Sequence, residues 1–141
     1  MEIERDVVER VIAHAEREAP IEACGYLAGA GGQVTRHYPM TNMEGREDHF
    51  TFDPREQFAV HKTVRQEGLE IIGAYHSHPA TPARPSVEDI RLACDPALIY
   101  VIISLMGGQR GVKAFRIREG KAEDEPLTVV SPLKTGEKTS E

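Results

Sequence analysis

The chain has only two cysteines in 141 residues, too few for a disulfide framework. Cys24 and Cys94 lie far apart, and neither belongs to a Cys-x-x-Cys pair. A structural zinc site built on thiolates is therefore not expected. Both cysteines are expected to be buried free thiols, packed as small hydrophobes. A positive charge balance is also lacking: 17 Lys and Arg stand against 23 Asp and Glu. The formal net charge is −6, which argues against a general nucleic-acid binder, since such a protein needs a basic stripe. Long apolar runs are missing as well. The longest, Ala97 to Ile103, falls far short of the roughly 20 residues that span a bilayer, so no membrane partner is expected. The charged start Met1-Glu2-Ile3-Glu4-Arg5-Asp6 shows no apolar signal segment, and a cytoplasmic setting is the expectation. No internal repeat is visible. A chain of this length buries about two-thirds of its unfolded surface. One domain is expected over residues 1–130, followed by a polar tail, 131–141, read as disordered.

What is present reads as alternating helices and strands. Apolar residues at Ile3, Val7, Val8, Val11, Ile12 and Ala15 have helical spacing and predict a helix from Ile3 to Glu18, ended by Pro20. Glu22 to Ala30 and Gln33 to Pro39 flank Gly31-Gly32, which predicts a hairpin. Met40 to Glu47 is polar and irregular, and His49 to Phe52 alternates like a short strand. Asp53-Pro54 opens a helix, as N-cap and first helical residue, that runs to about Gln66. Leu69 to Tyr75 is a strand leading into His76. A proline-rich loop (Pro79 to Pro85), a short helix (Ser86 to Ala93) and a buried strand (Leu98 to Leu105) follow. Gly111 to Arg118 and Lys121 to Val130 predict a closing hairpin. The pattern implies an α+β (mixed α/β) fold with helices packed on a central sheet.

The chemistry concentrates in His76-Ser77-His78-Pro79 and Pro85-Ser86-Val87-Glu88-Asp89. Side chains alternate along a strand, so His76 and His78 share a face while Ser77 points away. Two neutral imidazoles on one face form a chelate for a borderline metal such as zinc. Asp89, one turn into the next helix, can swing to the same ion. Three protein ligands leave one position for water, the pattern of catalytic zinc. Each half also has a plainer explanation: Ser86-x-x-Asp89 is a capping box, and His-x-His occurs in ordinary strands. Two imidazoles and one carboxylate leave a divalent ion with net charge +1, which favours hydrolysis of a carbonyl compound. Glu22, an acid at the start of an otherwise apolar strand, is either a solvated strand-end carboxylate or the general base. His14, His37, His49 and His61 have no ligand-like spacing and are expected to be exposed or capping.

Glu22, His-x-His, ten intervening residues and Asp89, with Ser86 three before it, resemble the JAMM (MPN-plus, JAB) metalloprotease family. The segments Glu22-Ala23-Cys24-Gly25-Tyr26-Leu27-Ala28-Gly29 and Thr51-Phe52-Asp53-Pro54 look most like its compact prokaryotic branch, which includes a peptidase that trims cysteine from a sulfur-carrier protein. The resemblance implies a curved mixed sheet flanked by helices, related to the cytidine deaminase fold. It implies Zn²⁺ held by His76, His78 and Asp89, with Glu22 as proton shuttle and Ser86 as oxyanion donor. It implies cleavage of an amide or isopeptide bond after Gly-Gly at the C-terminus of a small ubiquitin-like or sulfur-carrier protein; a homodimer is compatible with it. Part of Thr41 to Phe52 is the expected tail groove, and the short loop Met106 to Arg110 argues against linkage-selective deubiquitination. Two other readings remain: a non-catalytic MPN-type interaction module, and a DNA-repair-associated JAB-like protein. A zinc deaminase would need His-x-Glu and Pro-Cys-x-x-Cys, and neither is present.

Overall fold

The computed structural model describes residues 1–131; the remainder of the expected tail, residues 132–141, lies outside the described residues. In chain order the elements are β1 (Glu2–Glu4), α1 (Arg5–Glu18), β2 (Cys24–Ala30), β3 (Gln33–Met40), α2 (Pro54–Gln66), β4 (Glu70–His78), α3 (Val87–Leu92), β5 (Ile99–Ser104), β6 (Gly111–Arg118), β7 (Lys121–Glu125) and β8 (Thr128–Val130). The strands form one sheet in the order β7-β6-β5-β4-β2-β3-β1-β8. β4 and β5 run parallel, as do β1 and both of its neighbours; the other pairs are antiparallel. The two edge strands, β7 and β8, are separated in sequence only by Pro126 and Leu127. The sheet therefore curls, and the mixed α+β architecture agrees with the sequence reading. No described helix is long and apolar enough to cross a membrane.

The two faces of the sheet carry different helices. On one, Val7, Val11 and Ala15 of α1 pack with Leu27, Tyr75, Val101 and Ile103. On the other, Tyr26, Met40 and Ala74 pack with Phe52 and Val60 of the α2 region, and Ile102 and Phe115 pack with Ile90 and Ala93 near α3. β5 is covered on both sides, as its continuous apolar run predicts. Burial on this scale, at about 25 cal/mol per Å² of apolar surface, is what holds short helices such as the six-residue α3 in place. The hairpin turn is as expected: Gly31 and Gly32 take φ of 61° and 78°, the left-handed pair that a two-residue turn requires.

Three expectations are corrected. The first helix begins at Arg5, because Glu2 and Ile3 pair with Gln33 and Val34 of β3 and with Thr128 and Val129 of β8; ladder pairing overrides the helical spacing that Ile3 also satisfies. Lys121 to Val130 is two strands on opposite edges, broken at Pro126, which has no N–H for the ladder. His49 to Phe52 forms no strand, only an isolated bridge between Asn42 and Phe52.

Candidate active site

β4 ends in the two histidines, and its register assigns their neighbours. His76 lies between Cys24 of β2 and Ile102 of β5, and His78 lies opposite Ser104. The Nε2 atoms of His76 and His78 are 3.2 Å apart, and each is 3.1 Å from Asp89 Oδ2. Ligands at about 2.0–2.1 Å from a tetrahedral divalent ion stand roughly 3.3 Å from one another, so this triangle matches one face of such a site. The donor chemistry agrees. His78 Nδ1 donates to the Pro82 carbonyl at 2.9 Å, which leaves the Nε2 lone pair for a metal. The His76 ring is stacked on Phe50, centroids 4.8 Å apart. His76, His78 and Asp89 can thus hold a metal ion together.

Asp89 serves two structures at once. Its backbone N–H donates to Ser86 Oγ at 3.0 Å, and Ser86 N–H donates to Asp89 Oδ2 at 2.9 Å. The capping box is therefore real, and the oxygen that closes it is the one both imidazoles face. Burial alone would raise the Asp89 carboxyl, but its bonds to the two imidazoles and to Ser86 outweigh that and hold it far below the usual carboxylate range. Burial lowers His78, yet its bonds to Asp89 and to the Pro82 carbonyl, with the charges of Asp89 and Glu22, leave it raised overall. Ser86 Oγ spends a lone pair on the cap, and its own proton remains to be donated elsewhere.

Glu22 sits two residues before β2, in an irregular segment rather than at the strand's first position. Ala23 N–H donates to Ser77 Oγ at 2.7 Å, and Ser77 N–H donates to the Ala23 carbonyl at 3.0 Å. Glu22 N–H donates to the Arg46 carbonyl, and Asn42 Nδ2 donates to the Glu22 carbonyl, each at 3.0 Å. The backbone is thus held from both sides. The residue is only 4 % exposed, and Oε1 is buried without a hydrogen-bond partner. Burial pushes this carboxyl up to about 8; His78 opposes the rise, while Asp89 and Asp48 add to it. Cys24 pairs with His76 and Ala23 is bonded to Ser77, so the chain before β2 carries Glu22 alongside the end of β4, where the histidines lie.

Sequence reasoning assigned Ser77 only to the far face, and missed Asn42, the Arg46 carbonyl and Phe50. Alternation places Ser77, but nothing local marks its partner 54 residues upstream. Two smaller expectations also change. Cys24 is buried but Cys94 is exposed, on the short connection between α3 and β5. His14 is buried, with Nδ1 2.8 Å from the Tyr75 hydroxyl, rather than exposed.

The family described as prokaryotic homologs of the JAB domain matches residues 4–118. The chain belongs to this prokaryotic JAB family. Among its relatives is the CysO-cysteine peptidase of Mycobacterium tuberculosis, 39 % identical over 131 residues, covering 91 % of this chain and 90 % of that one. Another is a probable TtuB-protein conjugate cleaving protease of Thermus thermophilus, 37 % identical over 120 residues, covering 84 % and 77 %. A solution structure from Desulfitobacterium hafniense shares the fold with a TM-score of 0.85 and 41 % identity over 94 % of both chains. The JAMM resemblance seen in the motif is therefore borne out, and this JAB-family chain is a hydrolase of the peptidase type.

Proposed function

We propose that the protein hydrolyses the amide bond after the terminal Gly-Gly of a small ubiquitin-like or sulfur-carrier protein, releasing cysteine, with zinc held by His76, His78 and Asp89. The observation that carries this reading is Glu22: a buried acid, one oxygen unpartnered, electrostatically coupled to a preformed three-donor triangle. Bound there, zinc would supply a Lewis acid for the carbonyl and acidify the attacking water. The remaining steps belong to the chain. Glu22 takes a proton from the water and passes it to the leaving amine, a role that suits an acid whose pKa is near the working pH. The Ser86 hydroxyl donates to the oxyanion as the carbonyl becomes tetrahedral. Phe50 and the Pro82 carbonyl fix the two imidazoles. Part of Thr41 to Phe52 lines the approach for the carrier's tail, and glycines pass where side chains would clash. The relatives' names support the substrate class. Retention of all three donors and the acid argues against a non-catalytic module.

The test is to incubate zinc-loaded protein with a carrier–cysteine adduct and read the product mass. Loss of one cysteine residue is expected; a strong chelator should stop the reaction and zinc should restore it. An unchanged adduct, or full turnover without metal, would refute the reading.

A further inference from the structure

We propose that the cleft between the loop after His78 and the start of β6 is a subsite for the free carboxylate of the leaving amino acid, recognised by Arg84 and Lys113. The inference rests on the peptidase reading and names what that same site selects. The cleft has a volume of about 260 Å³ and is bordered by Pro82, Arg84, Ser104, Met106, Gln109 and Lys113. That is room for a single residue, below the roughly 300–1,000 Å³ of larger small-molecule sites.

Register sets the cleft beside the triad. His76 pairs with Ile102, and Ile102 pairs with Lys113; His78 pairs with Ser104. Paired residues share a face of the sheet. Lys113 therefore stands on the histidine face, two strands along, roughly 10 Å away at the backbone. On the opposite wall, Arg84 N–H donates to the Pro82 carbonyl at 2.9 Å, the same carbonyl that receives the His78 proton. Ser104 Oγ donates to the Thr81 carbonyl at 2.6 Å and ties this loop to β5. The wall that orients a metal-binding imidazole thus also carries the arginine.

Charge indicates the ligand. The chain has 23 acidic residues and a net charge of −6, yet no carboxylate lines this cleft. Among the described residues neither Arg84 nor Lys113 has an ion-pair partner, whereas nearby Arg110 is paired with Glu16 at 2.8 Å. Both residues are exposed, so water solvates them in the free protein and they stay available to an incoming anion. A guanidinium and an ammonium suit a planar carboxylate. The cleft also lies on the β5–β6 side of β4, whereas Asn42 and Arg46 of the proposed tail groove meet the Glu22 segment on the β2 side. A substrate crossing from one side to the other would have its scissile amide over the triad. A released C-terminal amino acid offers a carboxylate next to the broken bond. A lysine isopeptide does not, so the subsite favours end-of-chain amides.

The test compares two adducts of one Gly-Gly-ended carrier with the zinc-loaded enzyme: terminal cysteine with a free carboxylate, and the same cysteine capped as the carboxamide. The free acid should react with a kcat/KM roughly ten- to a hundredfold higher, the range of one charged hydrogen bond. The R84A/K113A double variant should bring the two adducts within about twofold of each other. Equal rates in the unaltered enzyme, or a preference that survives both substitutions, would overturn the subsite and leave the peptidase reading standing. Calorimetry on the E22Q protein, with Gly-Gly-Ala and its amide as probes, decides the matter without turnover. Tighter binding of the acid that depends on Arg84 and Lys113 supports the subsite even if neither adduct is cleaved; equal affinities overturn it.

Discussion

Substituting Glu22→Gln should change how the stability of the metal-free protein depends on pH, and the structure gives the sign and the size. The Glu22 carboxyl titrates at about 8 in the fold, against 4.5 for an ordinary glutamate, chiefly because it is buried. A raised acid binds more protons folded than unfolded. Its stabilising effect is therefore complete below pH 4.5 and is lost as pH climbs through 8. Each pH unit in that window is worth about 1.4 kcal/mol, so the native protein should lose up to about 3 kcal/mol relative to E22Q between pH 5 and pH 7. The glutamine of that variant does not titrate, and the other groups largely cancel in the difference. The assay is denaturant unfolding of both chelator-treated proteins at pH 5, 6, 7 and 8, plotted as the difference in stability. A divergence growing with pH is expected, and added zinc should shrink it because a nearby cation favours the carboxylate. Parallel curves within about 0.5 kcal/mol would refute the claim that this acid is buried and short of compensation. Such curves would also remove the physical reason for its basicity near neutral pH.

Other substitutions separate binding from positioning. Asp89→Ala should cut metal retention by tenfold or more in a competitive chelator titration, whereas Ser86→Ala should leave it nearly unchanged and lower kcat by about a hundredfold; equal metal loss in both would reduce Asp89 to a helix cap. Ser77→Ala removes the acceptor for Ala23 N–H inside a fully buried spot. It should cost about 1–3 kcal/mol in unfolding experiments and lower kcat about tenfold with metal content intact; an unchanged kcat would show that Glu22 holds its place without the serine. Tyr75→Phe leaves buried His14 without its partner on the face away from the triad. A loss of about 1–3 kcal/mol is expected with metal affinity unaltered, and a change in that affinity would mean the two faces are coupled.

The cluster of His76, His78 and Asp89 was legible because its geometry is local. A period of two puts His76 and His78 on one face, and one helical turn brings Asp89 round; both are short-range consequences of backbone form. α2 was legible for the same reason, since Asp53 accepts from Arg55 N–H at 2.9 Å and Pro54 occupies the first helical position. What the sequence hid is non-local. Three residues, Glu2 to Glu4, are a strand only because β3 and β8 flank them. Phe50 leaves a strand-like alternation to lie on His76. His14 is buried because Tyr75, 61 residues later, gives its ring nitrogen a partner. Thr128 to Val130 continues no hairpin, since the curl of the sheet brings the far edge within two residues of Glu125. Each of these depends on what the curled sheet brings close, and no window of neighbouring residues contains it.

The division of β4 explains why such a site can rest on so small a scaffold. Its odd residues, Tyr75 and Ser77, are fully buried toward α1 and β2; its even residues, His76 and His78, carry the donors. Tyr75 needs Gly25 opposite it, because a Cβ there would come within 2.5 Å of the tyrosine ring. Ser77 grips Ala23 two residues before that glycine. The same packing that fixes the β2–β4 register therefore delivers Glu22 to the histidine face, and a slip of one residue would turn every donor inward and every core side chain outward. The unpartnered Glu22 oxygen is a local loss that the fold can carry only because the strands on either side are set by unrelated contacts. A site assembled this way is rigid where it must hold three atoms within 3.2 Å of one another, and it leaves one oxygen of a neighbouring buried acid, Glu22, without a partner.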